Sequence, residues 1–461
     1  MPRPRRKSSN LGADLRGDTG ASALSTLEPT PTFNSPPLTP TGSRTSPSKP
    51  FRPFSKRRKA KSLFRRWKAI SFRHTWINPL ILIIIFLAGY AINPRPSNPI
   101  HSALFLSYPL PADHSLIPYH AHNDPNPPQF YGKGPRDFAF VGFYIIVLSF
   151  TREFLMQRLI RPMAIRHGLK SRGKQNRFME QVYTAMYFAI FGPLGIYVMS
   201  RTPVWYFNTT GMFEGFPHRS HEGIFKVYYL LQASYWAQQF IVLVLQLEKP
   251  RNDFPELVGH HIVTLALIWL SYRFHFTYMG VAVYITHDVS DFFLATSKTL
   301  NYLDSPLVFP YFSLFVGVWV YLRHYINLVI LKATLTTFAT VGPFELNWDT
   351  QQYKCWISQY ITFTLLLLLQ SLNIFWLVFV LKVAWRIVFE KVATDVRSDD
   401  EDESETETGG KQKRKGQVNG EEKAKTIEGE KMNGSLKAAN GHAVEGHDNF
   451  DDAVVEGKKE S

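Results

Sequence analysis

The chain has 461 residues, 52 Lys or Arg against 37 Asp or Glu, a formal net charge of +15 and one cysteine, Cys355. A single cysteine excludes an intramolecular disulfide framework. The basic excess flanks long apolar runs, so it reads as membrane topology and contact with a lipid surface rather than nucleic-acid binding.

The first 60 or so residues are rich in Pro, Ser, Thr, Gly and Arg, with the tract PTPTFNSPPLTPTGSRTSPSKP. Such a composition cannot bury enough apolar surface to offset its ordering entropy. Residues 1–75 are expected to form a disordered basic cytosolic arm. Its last part, KRRKAKSLFRRWKAISFRH from Lys56 to His74, matches a nuclear-localisation pattern. Its place directly before an apolar run favours a juxtamembrane anchor on anionic lipid. The first apolar run starts near Ile77, so no secretory signal peptide is expected.

Eight stretches are apolar and close to the length a helix needs to cross a bilayer. They are Ile77–Ile92, Phe138–Leu155, Tyr183–Met199, Ile224–Leu247, Leu257–Tyr272, Phe276–Leu294, Val308–Leu331 and Trp356–Ala384. The fold class is therefore all-α: a polytopic membrane protein with about eight transmembrane helices. The fifth and sixth are separated by three residues and predict a tight helical hairpin. Segment 156–180 holds seven Lys or Arg against one Glu, which places it in the cytosol. Loop 93–137 is Pro-rich and weakly charged, as a lumenal loop should be, and eight crossings put both termini in the cytosol. The resulting divisions are 76–136, first transmembrane helix and lumenal loop; 137–173, second transmembrane helix and basic cytosolic loop; 174–390, the main membrane domain; and 391–461, a disordered charged cytosolic tail.

Asn208-Thr209-Thr210 is a glycosylation sequon on the lumenal side of this scheme. The tail segment SDDEDESETE makes Ser398, Ser404 and Thr406 candidates for an acidophilic kinase, a plain solvated acidic run being the alternative. Lys458 and Lys459 stand at the fourth and third positions from the end. They resemble the dilysine retrieval signal of endoplasmic-reticulum membrane proteins.

The stretch His260 to Lys298 sets the chemistry. His260 and His261 open the fifth apolar segment, and His287, Asp288 and Asp291 interrupt the sixth. A carboxylate inside a bilayer costs at least a few kcal/mol unless it is paired or used. His287, Asp288 and Asp291 are three and four apart, close to one helix face, so His287 is expected to pair with Asp291. Two close carboxylates also favour a shared proton. The antiparallel hairpin brings His260 and His261 to similar depth, and Thr264, one turn beyond His260, is a candidate hydrogen-bond partner for it. Adjacent residues point about 100° apart, so only one histidine can aim squarely at the carboxylates. A histidine oriented by a carboxylate serves as a general base or as a nucleophile. A structural polar network is the bland alternative. Metal binding is a weaker reading, since one HH pair and the distant His218/His221 pair fall short of the histidine boxes of di-iron hydroxylases. A transporter with a proton relay would call for inverted repeats, and none is convincing.

The same block resembles the Lag1 motif of ceramide synthases, within the TRAM–Lag1–CLN8 (TLC) membrane-domain family. The family pattern reads approximately HHxxTxxLIxxSYxxNxTRxGxxxxxxHDxSDxxLxxxK. His260, His261, Thr264, Leu267, Ile268, Ser271, Tyr272, Thr277, Gly280, His287, Asp288, Ser290, Asp291, Leu294 and Lys298 match. His275 stands where Asn is common and Tyr278 where Arg is common. The resemblance covers roughly 140–390, and the acidic tail and dilysine end suit the fungal branch. It implies N-acylation of a sphingoid base by a long or very-long fatty acyl-CoA, a substrate rather than a bound cofactor, giving (dihydro)ceramide and CoA. It implies catalytic roles for His260, His261, Asp288 and Asp291, supporting or substrate-binding roles for Thr264, Ser271, Tyr272, His287, Ser290 and Lys298, and no metal. It implies further an acyl-chain tunnel, the endoplasmic-reticulum membrane, a short single-span accessory subunit and homo- or hetero-oligomers. The basic loop Arg158 to Arg177 is a better candidate for CoA phosphates than Arg273, which this scheme places in the lumen, with topology determination an equally good role for the loop. The rival within the family is a non-catalytic lipid-binding or chaperone-like TLC protein.

Overall fold

A bilayer core offers no water to backbone N–H and C=O groups, so spanning segments satisfy them internally as helices. The computed structural model describes residues 65–71, 73–111, 114–116, 128–248 and 252–389. All belong to one unit, Leu63–Ser461; a separate unit, Met1–Ser62, lies outside the described residues. Ser398, Ser404, Thr406, Lys458 and Lys459 also lie outside them.

Eight helices take up the eight apolar stretches: α1 Ile77–Ile92, α2 Asp137–Arg166, α3 Arg172–Ser200, α4 Gly223–Val244, α5 Phe254–Arg273, α6 Thr277–Tyr302, α7 Val308–Leu335 and α8 Trp356–Phe389. Five of them, α2, α3, α5, α7 and α8, are long and apolar enough to cross a membrane. α1 is apolar but only 16 residues long. α4 and α6 have 22 and 26 residues and are less hydropathic because of the polar groups they bury. The distribution is that of a lipid-solvated protein. Ile84, Ile85 and Leu87 on α1, and Leu367, Leu368 and Val378 on α8, face outward, while Lys226, Gln232, His287 and Asp288 are buried.

Aromatic packing joins α3, α4 and α6 into the main core, with Tyr187 stacked on Tyr235 at 3.7 Å between ring centroids. A smaller cluster of Phe315, Trp319, Trp376 and Val380 joins α7 to α8. The helices alternate in direction, so the links α1–α2, α3–α4, α5–α6 and α7–α8 gather at one end of the bundle, called here the hairpin end. A two-residue antiparallel ladder lies there, β1 Phe130–Tyr131 against β2 His221–Glu222, with Phe130 opposite Glu222.

Two local features position the site. The α5–α6 link is three residues, Phe274 to Phe276, one position later than the sequence suggests. Its central residue, His275, has φ of 67°. That left-handed conformation is one that Asn adopts more readily than most side-chain-bearing residues. The second feature is a π-helical stretch, Val320–Ile326, inside α7. Such single-turn insertions change which residues face inward.

Candidate active site

The π stretch of α7 turns Arg323 into the bundle, where only 2% of it is exposed. Its guanidinium donates to Asp291 Oδ1 at 2.6 Å, Ser290 Oγ at 2.6 Å, Asn373 Oδ1 at 3.2 Å and the His287 carbonyl at 3.5 Å. It also lies over the Trp319 ring, 4.1 Å from its centroid. One arginine thus ties α6 to α8. The sequence reading missed it, although an arginine inside the apolar stretch Val308–Leu331 is costly enough to be a signal on its own.

This geometry corrects the pairing expected on α6. His287 does not bond Asp291. Its Nδ1 donates to the Val283 carbonyl at 2.9 Å, with Thr286 Oγ1 at 3.0 Å, and its Nε2 faces the Asn373 amide at 3.4 Å. Asp291 takes the arginine of α7 instead, because a guanidinium fork from a neighbouring helix outcompetes an imidazole one turn away. Nor do Asp288 and Asp291 share a site. Asp288 is fully buried against α4, where Tyr228 Oη donates to its Oδ2 at 3.1 Å and the Gln232 amide donates to the same oxygen.

The hairpin does bring the histidines together. The His260 ring is 6.4 Å from His287 and 5.7 Å from His261, centroid to centroid. Trp236 of α4 lies 5.9 Å from both His260 and His261, and Trp376 of α8 lies 5.1 Å from His260. His261 Nδ1 donates to the Leu257 carbonyl at 2.9 Å, which leaves the lone pair on Nε2. The expected bond between Thr264 and His260 is absent: His260 Nδ1 and Thr264 Oγ1 are both buried without a hydrogen-bond partner.

Two cavities meet at this cluster. An apolar one of about 240 Å³ runs between α5, α6 and α8 and is lined by Leu267, Val283, Thr362, Leu366 and, toward the hairpin end, Trp348 and Tyr353. A polar one of about 260 Å³ opens the other way and is lined by Arg152, Arg177, Glu180, Asp291, Lys298 and Arg323, among others. Trp236 and His260 line both, His287 lines only the apolar cavity, and His261 and Asp291 line only the polar one. Asp288 lines neither. Arg177, from the basic loop picked out in the sequence, thus stands at the polar cavity.

Ser271 lines the apolar cavity and is bonded to Tyr229 Oη. Tyr272 belongs to a different cluster. Its hydroxyl donates to Asp137 Oδ2 at 2.8 Å, and the other oxygen of Asp137 pairs with Lys226 at 2.8 Å. Lys226 also donates to the Ser107 and Gly132 carbonyls at 2.9 and 2.7 Å. This buried charge network fastens α2, α4 and α5 at the hairpin end. His218 and His221 lie there too: His218 contacts the Glu214 and His275 carbonyls, and His221 Nε2 lies 2.9 Å from Thr277 Oγ1. Among the described residues no group of three or more His, Cys, Asp or Glu side chains is disposed to hold a metal ion. Asn208 is exposed in the α3–α4 connection, its Oδ1 accepting from the Thr210 amide at 3.2 Å.

A family model described as the TLC domain matches residues 177–382, α3 to α8. A sphingosine N-acyltransferase-like protein of Gibberella moniliformis is 50% identical over 363 residues, 77% of this chain and 92% of that protein. The chain belongs to the sphingosine N-acyltransferase family. A sphingosine N-acyltransferase of Schizosaccharomyces pombe is 47% identical, covering 76% of this chain and 88% of its own length. A ceramide synthase of Saccharomyces cerevisiae is 45% identical, covering 73% and 79%. In this sphingosine N-acyltransferase family member, the matched domain contains every helix that contributes to the two cavities except α2, which supplies Arg152.

Proposed function

We propose that the chain is a ceramide synthase, transferring an acyl group from acyl-CoA to the amine of a sphingoid base. Its membership among sphingosine N-acyltransferases supports the reaction. The single structural observation that carries the reading is the sharing of His260 and Trp236 by one apolar and one polar cavity. An acyl-CoA thioester has the same division: an apolar chain, a reacting carbonyl, and a polar phosphorylated carrier. The chain fits the apolar cavity as an acyl tunnel for long or very-long chains, the carbonyl comes to the histidines, and the carrier lies on the side of Arg152, Arg177, Lys298 and Arg323.

The amine nitrogen attacks the thioester carbon, the C–S bond breaks, and CoA leaves as a thiolate that takes up a proton. His261, with its lone pair on Nε2, takes the proton that the amine loses. His260 stands at the carbonyl, and Asp291 with Arg323 fixes the wall behind it. Asp288 acts at one remove, holding α6 to α4 through Tyr228 and Gln232. Lys298 serves the polar carrier, and Ser271 and Ser290 hold neighbouring groups in place. Tyr272 acts through the hairpin-end network rather than on the substrate. A transient acyl-imidazole on a histidine is the second reading, favoured by the unpartnered His260 Nδ1.

All eight helices cross the bilayer in this reading, with the polar cavity opening to the cytosol and Asn208 on the lumenal side. Residues 76–136 and 137–173 precede a catalytic domain at 174–390, a division supported by the family match at 177–382. The endoplasmic reticulum is the proposed membrane. Microsomes expressing the chain, given dihydrosphingosine and acyl-CoA, should form dihydroceramide; equal product from His261→Ala and Asp291→Asn at matched protein level would remove the site assignment.

A further inference from the structure

Three helices meet in one directed chain of hydrogen bonds. An arginine side chain can only donate, so Asn373 of α8 must present its oxygen to the Arg323 guanidinium of α7, 3.2 Å away. That orientation turns the Asn373 amide nitrogen toward His287 Nε2 of α6, at 3.4 Å. The other side of the ring agrees. Thr286 Oγ1 gives its proton to the Val283 carbonyl at 2.7 Å. Both groups beside His287 Nδ1, that carbonyl at 2.9 Å and the Thr286 oxygen at 3.0 Å, are therefore acceptors. Nδ1 carries the hydrogen and Nε2 the lone pair. A proton added at Nε2 would set two donors face to face. Turning the Asn373 amide over to relieve that would set its NH2 against the guanidinium. Asn373 is fully buried, so no solvent partner is at hand for either.

The surroundings give this lock a use. His287 lines the apolar cavity, and its ring lies 6.4 Å from that of His260 on α5. Its other charged neighbour is Arg323, which reaches its carbonyl. Asp288 and Asp291 of its own helix are bonded to α4 and α7 instead. α4 brings Trp236 and Tyr229 to the same cavity, and α8 brings the uncharged Asn373 to the ring. A second imidazolium beside His260 would oppose the positive charge that the His260–His261 pair gains when the amine's proton arrives. We propose that Asn373 is a positioning residue of this site: its amide, set by Arg323, keeps His287 a neutral wall of the apolar cavity and confines proton transfer to His260 and His261. This rests on the acyltransferase reading and deepens it.

Two measurements on the full chain in lipid test it. Thr286-His287 is the one Thr-His step in the sequence, so isotope-labelled threonine carbonyl and histidine pick out His287 by solid-state NMR without any substitution. The wild-type ring should hold one proton, on Nδ1, at both about pH 6 and about pH 8. Asn373→Asp keeps the size and the bond to Arg323 but offers His287 only an acceptor, so the ring should take up a second proton from solvent. With that charge in place, kcat for amide formation from dihydrosphingosine and acyl-CoA should fall about tenfold or more, while KM for acyl-CoA stays within about twofold. An asparagine that only packs would leave the state of the ring unmoved by this change. A wild-type ring protonated at Nε2, alone or with Nδ1, would overturn the inference whether or not the variant folds. So would an Asn373→Asp protein whose ring stays neutral, or whose ring is charged with kcat unchanged. No amide from the wild type would overturn the acyltransferase reading and this assignment with it, and the ring measurement, which uses no substrate, tells the two failures apart.

Discussion

Arg323 Nη2 and Asp291 Oδ1, on different helices, meet at 2.6 Å in the interior of the bundle. The arginine is 3% and the aspartate 18% exposed at the side chain. Removing one partner of such a pair leaves a buried charge unmatched, at a cost of about 3–5 kcal/mol, whereas replacing both with apolar groups is often neutral. Asp291→Asn and Arg323→Met should therefore lower the melting temperature of the detergent-solubilised protein. The double variant Asp291→Leu/Arg323→Met should regain most of it and still form no ceramide. A double variant as unstable as the singles would show that the pair is not an independent unit.

His260 and His261 are expected to differ from a structural pair by the size of their effect on rate. General acid–base groups contribute about 10²–10⁴-fold. His260→Ala and His261→Ala should each cut amide formation by at least about a hundredfold in this range, with protein level and melting temperature near those of the wild type. Product measured by mass spectrometry against an internal standard checks both.

The apolar cavity makes a graded prediction. On α8, Asn373 touches Arg323 and His287, and Thr362 lines the cavity eleven residues nearer the hairpin end. At 1.5 Å per residue that is about 16 Å. Thr362→Trp should leave lauroyl-CoA usable and depress turnover of hexacosanoyl-CoA by about tenfold or more, a cavity-filling effect. Uniform loss across chain lengths would place the acyl chain elsewhere.

At the hairpin end His218 is a pH probe outside the membrane spans. Burial, aided by the nearby Lys133 charge, pushes its pKa down to about 4 against the pull of the Glu214 and His275 carbonyls. The neutral ring is thus the folded form. As pH falls from about 6.5 toward 4, the unfolded chain takes up a proton that the folded chain refuses, so stability falls across that window and levels off below it. Thermal melting between pH 7 and 4 should show this slope, and His218→Gln should reduce it, the remainder coming from His221 and His275 nearby, whose pKa values burial also lowers. A rise in stability on acidification would mean that the two carbonyls win and the ring is charged.

How much of this was legible in the sequence depends on what each residue's partner is. The eight helices follow from apolar runs, because backbone satisfaction in hydrocarbon leaves little choice of structure. The hairpin was legible from its three-residue link, and the approach of His260 to His287 follows from it. The pairing of Asp291 was not. Helical spacing names neighbours on the same helix, while Arg323 arrives from α7, and only the π stretch aims it inward. Tyr228 and Gln232 were missed for a similar reason: in sequence they are ordinary residues of an apolar run, and only the packing of α4 on α6 gives them Asp288. Thr264 matched the motif, yet its hydroxyl does not reach the histidine expected for it.

The extra residue in α7 also fixes that helix's length in a way hydropathy does not register. A π stretch offsets the residues after it by roughly one residue's rotation, about 100°. Phe315 and Trp319 before it pack toward α8, and Ile330 and Ala333 after it belong to the main core. Deleting one residue between Val320 and Ile326 would keep the helix apolar and long enough to cross, yet swing one half out of phase and carry Arg323 toward lipid. The same deletion in α1, which has no buried residue, would cost only length. Two apolar helices that look equally replaceable on a hydropathy plot therefore tolerate insertions and deletions very differently.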